Sequence, residues 1–298
     1  MSIFARRTTE SMKTQIDNLT STKKDYSDSN EWKLTVDKEG NGTAIIRFLP
    51  ALNPDDKDFV KIFTHGFEEK GRWYVENCPT THGEECPVCV ANNELWSTEI
   101  EANKKIASRR KRKLSYWGNI LVVKDSANPD AEGKVFKYRF GQKIMEKITN
   151  MNNGEPEAGI DGVPVTDVFE GANFILKAKK VDRHQNYDDS RFGNQAPIFK
   201  GSDDEVNAQL QDLANKMHDI NSIVAADQFK PYDELETNLN KVLGKAATKS
   251  AESALMADLA ASDGTQVDAT SALDKTDSTG FDAQQDDDDL DALLRDLG

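Results

Sequence analysis

Arg109-Arg-Lys-Arg-Lys-Leu-Ser-Tyr-Trp117 runs from five consecutive cations into two aromatics, and Gly-Asn-Ile-Leu-Val-Val-Lys124 continues it as an apolar run. After a Pro/Asp/Gly loop at 125–133, Lys134-Val-Phe-Lys-Tyr-Arg-Phe140 interleaves cations with aromatics. Both stretches read as strands, 114–124 and 134–140. Strand alternation places Phe136, Tyr138 and Phe140 on one face and Val135, Lys137 and Arg139 on the other. Outward from this pair the pattern repeats. Thr43–Leu49 is an apolar run stopped by Pro50, and 60–65 and 72–76 flank a hairpin turn at 66–71. A further strand covers 173–181. Residues 90–107 read as helical, and 203–243 as acidic helices with Pro231 at a helix start. Many short strands with helices inserted and appended predict a mainly β chain built on a barrel or sandwich, not a parallel α/β sheet.

Single-strand nucleic-acid binders need cations along the backbone and aromatic faces on which bases stack. The two basic-aromatic strands supply both. Phe136, Phe140 and Trp117 also suit a core, whereas Tyr116 and Tyr138 carry a polar handle suited to a wet groove. The sequence has no glycine-rich phosphate loop, no Ser/His/Asp pattern and no calcium-loop spacing.

All three cysteines fall within twelve residues, as Cys78-x3-His82-x3-Cys86-x2-Cys89, with His65 upstream. Three thiolates and one imidazole make a closed tetrahedral shell of the structural zinc type. Spacing leaves His65 and His82 open as the fourth ligand. His82-Gly-Glu84 followed by Cys86-Pro-Val-Cys89 superficially matches zinc deaminases. The single residue between Glu84 and Cys86 is too short a connection for that site, and Pro87 follows the first Cys instead of preceding it. A zinc-dependent nucleic-acid enzyme and a zinc-ribbon RNA or transcription factor are the competing classes. The first needs an open metal position or a carboxylate pair, and neither is evident.

The 298 residues carry a formal charge of −14, but unevenly. Residues 250–298 hold 13 acids against two bases, a local −11, whereas 104–147 carry +9. The last 49 residues are too poor in large apolar side chains to order on their own. Near their end, Asp286, Asp287, Asp288 and Asp289 form an unbroken acidic run. Leu290, Leu293, Leu294 and Leu297 follow it with the spacing of a short amphipathic helix for a partner groove. A tethered polyanion of this kind would also compete with DNA for a basic cleft. No apolar run is long enough to span a membrane, and the first residues lack a secretion signal, so a cytoplasmic chain is expected.

Over most of 30–250 the chain resembles the single-stranded DNA-binding (helix-destabilising) proteins of T-even-type bacteriophages. The resemblance is carried by Glu31-Trp-Lys-Leu34, Ala44–Pro50, Thr81-His-Gly83, Cys86-Pro-Val-Cys89, Lys111–Trp117, Asn119–Asp125, Glu132–Gly141 and Glu170–Phe174. It implies an OB-fold core over 21–249 with an inserted zinc subdomain at about 62–110. It also implies a non-enzymatic protein that coats single-stranded DNA during viral replication, recombination and repair in the infected cell. It selects His65, with Cys78, Cys86 and Cys89, as ligands of one structural Zn2+. Its DNA-facing residues map to Lys111, Arg112, Lys113, Tyr116, Tyr138 and Tyr187, with Trp96 at a tyrosine position. Arg109, Arg110, Trp117, Lys137 and Arg139 complete the expected DNA set. The basic arm at 1–20, through Arg6, Arg7, Thr8 and Thr9, is expected to dock on a neighbouring copy. The disordered acidic tail at 250–298 is expected to bind replication and recombination proteins. Three departures stand out: Ala107 at a family tyrosine, His184 at a phenylalanine, and a loop after His82 two residues shorter.

Overall fold

The computed structural model describes residues 29–53, 55–181 and 184–244. The expected arm, with Arg6, Arg7, Thr8 and Thr9, lies outside them. So does the expected tail, with Asp286, Asp287, Asp288, Asp289, Leu290, Leu293, Leu294 and Leu297. The strands are β1 (Glu31–Trp32), β2 (Gly42–Phe48), β3 (Phe59–Glu69), β4 (Arg72–Asn77), β5 (Lys113–Lys124), β6 (Val135–Phe140), β7 (Ala172–Val181), β8 (His184–Asn186) and β9 (Arg191–Gln195). The helices are α1 (Pro87–Ser97), α2 (Glu101–Arg110), α3 (Gln142–Asn153), α4 (Asp203–Asn215) and α5 (Tyr232–Leu243). This is the expected mainly β fold with helices, and its curled sheet is OB-like.

Strand β5 organises the sheet. It pairs with β6 along 116–121, with β3 along its N-terminal half and with β2 along its C-terminal half. β2 in turn pairs with β7, and β1 adds to β6 in parallel. The inward faces of these strands form one core around Ile46, Phe48, Ile120, Phe140 and Phe174. Helix α3, whose Ile144 and Ile148 are one turn apart, closes its end. On the other side of β5 and β6, Leu121 and Val135 pack against Leu213 of α4. Helix α4 starts on a capping box: Ser202 and Glu205 bond reciprocally across its first turn.

β3 leaves the barrel halfway. Its residues 59–64 pair with β5 and its residues 64–69 pair with β4. The β3–β4 turn is Lys70-Gly71, both at positive φ, a two-residue turn whose twist matches the strands. The strands therefore run further than expected, and Gly66 is a paired strand residue opposite Val75. The expected helix at 90–107 is two helices, broken at Glu99 in the left-handed region (φ 57).

Candidate metal centre and nucleic-acid interface

A second core lies beyond the barrel. Phe67 and Tyr74 of the β3–β4 hairpin, Cys78, Cys86 and Val88 pack with Leu235, Leu239 and Val242 of α5. Lys70 and Arg72 donate to the carbonyls of Leu243 and Lys241 at the α5 C-terminus. These cations meet the negative end of the helix dipole. Lys230 pairs with Glu76 at 2.8 Å. Helix α5, far downstream in the chain, therefore packs into a core whose other members fall within 62–110.

Within this core, ligand atoms of His65, Cys78, Cys86 and Cys89 all lie within 4.8 Å of one another. The cluster could hold a metal ion. His65 Nε2 is 3.5 Å from both Cys86 Sγ and Cys89 Sγ, and Cys78 Sγ is 3.7 Å from Cys89 Sγ. A tetrahedral ion with metal–sulfur bonds of about 2.3 Å and metal–nitrogen bonds of about 2.0 Å has edges of roughly 3.5–3.8 Å. These three donor pairs are already at that spacing, and the whole set lies within 4.8 Å. The Cys78 amide bonds Phe63 O, seating the first ligand against β3. Cys86 precedes α1 and Cys89 lies in its first turn, so one helix start delivers two sulfurs.

The imidazole is oriented as a metal ligand requires. Nδ1 lies 2.9 Å from the Arg110 carbonyl, which can only accept, so Nδ1 carries a proton and Nε2 is the nitrogen turned to the sulfurs, where a metal would displace its proton. Burial pushes the His65 pKa down, but in the metal-free cluster hydrogen bonds with Cys78 and Cys86 override it and lift it to about 9. Hydrogen bonds from Cys86 and Cys89 hold the Cys78 thiol far below the ordinary thiol range. Hydrogen bonds with Cys78 and Cys86 push Cys89 up. Negative charge is thus concentrated between the sulfurs, where a cation would replace the protons. His82 is exposed and lies edge-on to Phe229 at 4.6 Å, outside the cluster. The choice that spacing leaves open falls to His65.

The expected DNA-facing residues divide between two sheet faces. Cross-strand register puts Lys61 opposite Tyr116 and Phe63 opposite Leu114. Tyr116 stacks on Phe140 at 5.9 Å and its hydroxyl donates to Gln142. The Arg112 guanidinium sits 4.2 Å over the Phe63 ring, and Lys61 Nζ lies 4.8 Å from that ring's centroid. These residues form a basic-aromatic surface where β3 passes from the barrel to the metal core. Trp117, Lys137 and Arg139 point from the opposite face, where Arg139 lies 5.9 Å over Trp117 and 3.8 Å from Glu31. Alternation along β5 enforces the split.

Tyr138 departs most from expectation. It is 5% exposed, edge-on to Trp32 at 5.4 Å and stacked with Phe140 at 5.6 Å. It is a core ring and offers no open stacking face, because the addition of β1 buries β6. Arg110 also differs from a free phosphate contact, since Glu69 holds it at 3.0 Å. Arg109, Lys111 and Arg112 are exposed, Lys113 is half-buried and Trp96 is 44% exposed on α1. Tyr187 packs half-buried on the barrel core. Its loop is tied to α3, where Lys147 donates to the Asp188 carbonyl and Lys143 faces the Asp188 carboxylate. A hydrogen bond from Asn186, with these lysines, holds the Asp188 carboxyl below its usual range. Sequence reading omits Lys61 and Phe63, although the alternation of Val60-Lys-Ile-Phe63 already puts them on one face.

The family described as gp32 DNA binding protein like matches residues 40–243. The chain belongs to that family. It is 42% identical to the single-stranded DNA-binding protein of Enterobacteria phage T2, over 99% of this chain and all of that protein. The corresponding protein of Enterobacteria phage T4 is 42% identical over the same shares. That of Enterobacteria phage RB70 is 42% identical over 39% of this chain and all of its own length. Among the described residues, no helix is long and apolar enough to cross a membrane.

Proposed function

We propose that this chain is a non-enzymatic, sequence-independent single-stranded DNA-binding protein that coats exposed strands during phage replication, recombination and repair in the infected host cell. The surface of Lys61, Phe63, Arg112 and Tyr116 carries the reading. Cations over an aromatic ring, next to a half-exposed tyrosine, suit a charged backbone and stacked bases without reading base edges. Lys111 and Lys113 extend the charge. Family membership and the names of the phage relatives point the same way.

The cluster of His65, Cys78, Cys86 and Cys89 takes one Zn2+, bound for structure. Four protein donors fill a tetrahedral shell and leave no position for a substrate. The ion ties the hairpin, the turn after it and the start of α1 into one core. Beyond the described residues, Arg6, Arg7, Thr8 and Thr9 join neighbouring copies on DNA. The acidic run of Asp286, Asp287, Asp288 and Asp289, with Leu290, Leu293, Leu294 and Leu297, recruits replication and recombination proteins. The acidic tail also competes with DNA for the basic surface, at the millimolar effective concentration that a tether provides.

Quenching of tryptophan fluorescence by single-stranded homopolymer and by matched duplex, across a salt series, tests this for residues 1–298 and 1–249. Strong single-strand preference, with tighter onset in the shorter form, is expected. Equal or negligible binding to both nucleic acids would overturn the reading.

A further inference from the structure

Thr80 sits between the metal cluster and the basic surface. Its Oγ1 lies 2.6 Å from Arg112 Nη1 and 3.1 Å from Cys78 Sγ. A guanidinium has only donors, so Thr80 accepts from Arg112. The hydroxyl proton must then point elsewhere, and the Cys78 sulfur is the acceptor within reach. The rotor is set from both sides: the Cys78 sulfur accepts its hydrogen bond and the guanidinium donates to its lone pair. Arg112 is thereby held 4.2 Å over Phe63. Arg112 is exposed, where a long side chain otherwise samples many rotamers and loses that freedom on contacting a phosphate.

The neighbouring threonine has a different task. Thr81 Oγ1 accepts the backbone N–H of Phe63 at 3.0 Å and braces the turn against β3. The Arg112 guanidinium bonds Thr80 rather than Thr81. Two adjacent hydroxyls thus separate holding the turn from aiming the cation.

We propose that Thr80 is a positioning residue for single-strand binding, its hydroxyl anchored on the Cys78 sulfur and fixing the Arg112 guanidinium over Phe63 where it meets a DNA phosphate. This rests on the proposed single-strand function. It predicts that Thr80 acts on DNA only through Arg112, which a cycle of single and double variants can read.

The experiment compares full-length wild type, Thr80→Val, Thr80→Ser, Thr81→Val, Arg112→Gln and Thr80→Val/Arg112→Gln. Each is measured for zinc content and for affinity to single-stranded homopolymer against salt concentration. Thr80→Val should keep one zinc per chain and bind several-fold more weakly. Its salt slope should fall toward that of Arg112→Gln, by up to about 0.7 for one phosphate contact on a single strand. Thr80→Ser should restore both affinity and slope. In the Arg112→Gln background, Thr80→Val should add nothing. Wild-type binding by Thr80→Val, additive losses in the double variant, zinc loss from Thr80→Val, or the same effects from Thr81→Val would each overturn the assignment. A wild-type protein without single-strand preference would instead reject the functional reading on which it rests.

Discussion

The Nδ1 of His65 lies 2.9 Å from the carbonyl oxygen of Arg110, the last residue of α2 and the second of five consecutive cations. One hydrogen bond therefore joins the buried metal cluster to the start of the basic run. The bond fixes the imidazole tautomer, and the imidazole in turn fixes where the chain turns from α2 into β5. The geometry of the candidate metal cluster and the placement of Lys111–Lys113 are linked through this one bond.

Replacing His65 with Ala should abolish stoichiometric zinc binding, whereas His82→Ala should leave one zinc per chain. Loss of the ion should lower stability by at least about 3 kcal/mol, since structural zinc sites are coupled to folding. At about 2–4 °C per kcal/mol for a chain of this size, the melting temperature should fall by roughly 6 °C or more. Metal analysis and thermal unfolding check this. Full zinc content in His65→Ala would place the fourth ligand elsewhere.

The pH dependence should differ between metal-free and metal-bound protein. Without metal, His65 is raised from 6.5 to about 9. The stability from its charged form is complete below about pH 6.5 and disappears as pH rises to 9. With metal bound, the ring is neutral and the thiols are ionised, so metal affinity rises with pH over the same window. The gap in melting temperature between metal-loaded and chelator-stripped protein should therefore widen from pH 6.5 to 9. Parallel profiles would contradict His65 as a proton-competing ligand.

Much of this architecture is legible locally. The β6 stretch announces itself by alternation and the β5 stretch by its apolar run, and the cysteine spacing points to a metal site. Tyr138 is not legible in that way. Its alternation with Lys137 and Arg139 is the same whether the face is wet or dry, and Trp32, distant in sequence, decides the matter. Helix α3 has Ile144 and Ile148 at helical spacing, a signal overshadowed by the aromatics before it. The role of α5 depends on its packing against the β3–β4 hairpin and the start of α1, far upstream in the chain, which no local period encodes. The Thr80 hydroxyl becomes informative only when its partners have coordinates.

Helix α5 gives a third prediction. Leu239 is buried beside Cys78 and Cys86 in the second core. Leu239→Ala should cost about 2–5 kcal/mol through the cavity it leaves. It should also speed zinc transfer to a chelator, although Leu239 is no ligand, because the cavity loosens the core that holds the sulfurs. Unchanged release kinetics alongside lost stability would separate α5 from the metal centre.

The two tyrosines expected to stack on bases should behave differently when each is changed to alanine. Tyr116 is half-buried on the surface that carries Lys61 and Arg112, and its hydroxyl bonds Gln142. Tyr116→Ala should weaken single-strand binding by about 1–3 kcal/mol, the worth of one stacked base. Tyr116→Phe keeps the ring and should lose little affinity, although the bond to Gln142 disappears. Tyr138 is surrounded by Trp32, Phe48 and Phe140. Tyr138→Ala should behave as a core truncation and cost about 3–5 kcal/mol of stability. At a temperature where that variant remains folded, its affinity per folded molecule should fall less than that of Tyr116→Ala. Homopolymer titrations paired with denaturant unfolding separate the two effects. A Tyr138→Ala protein of wild-type stability with markedly weakened binding would return that ring to the DNA surface and require the β1–β6 edge to open on binding.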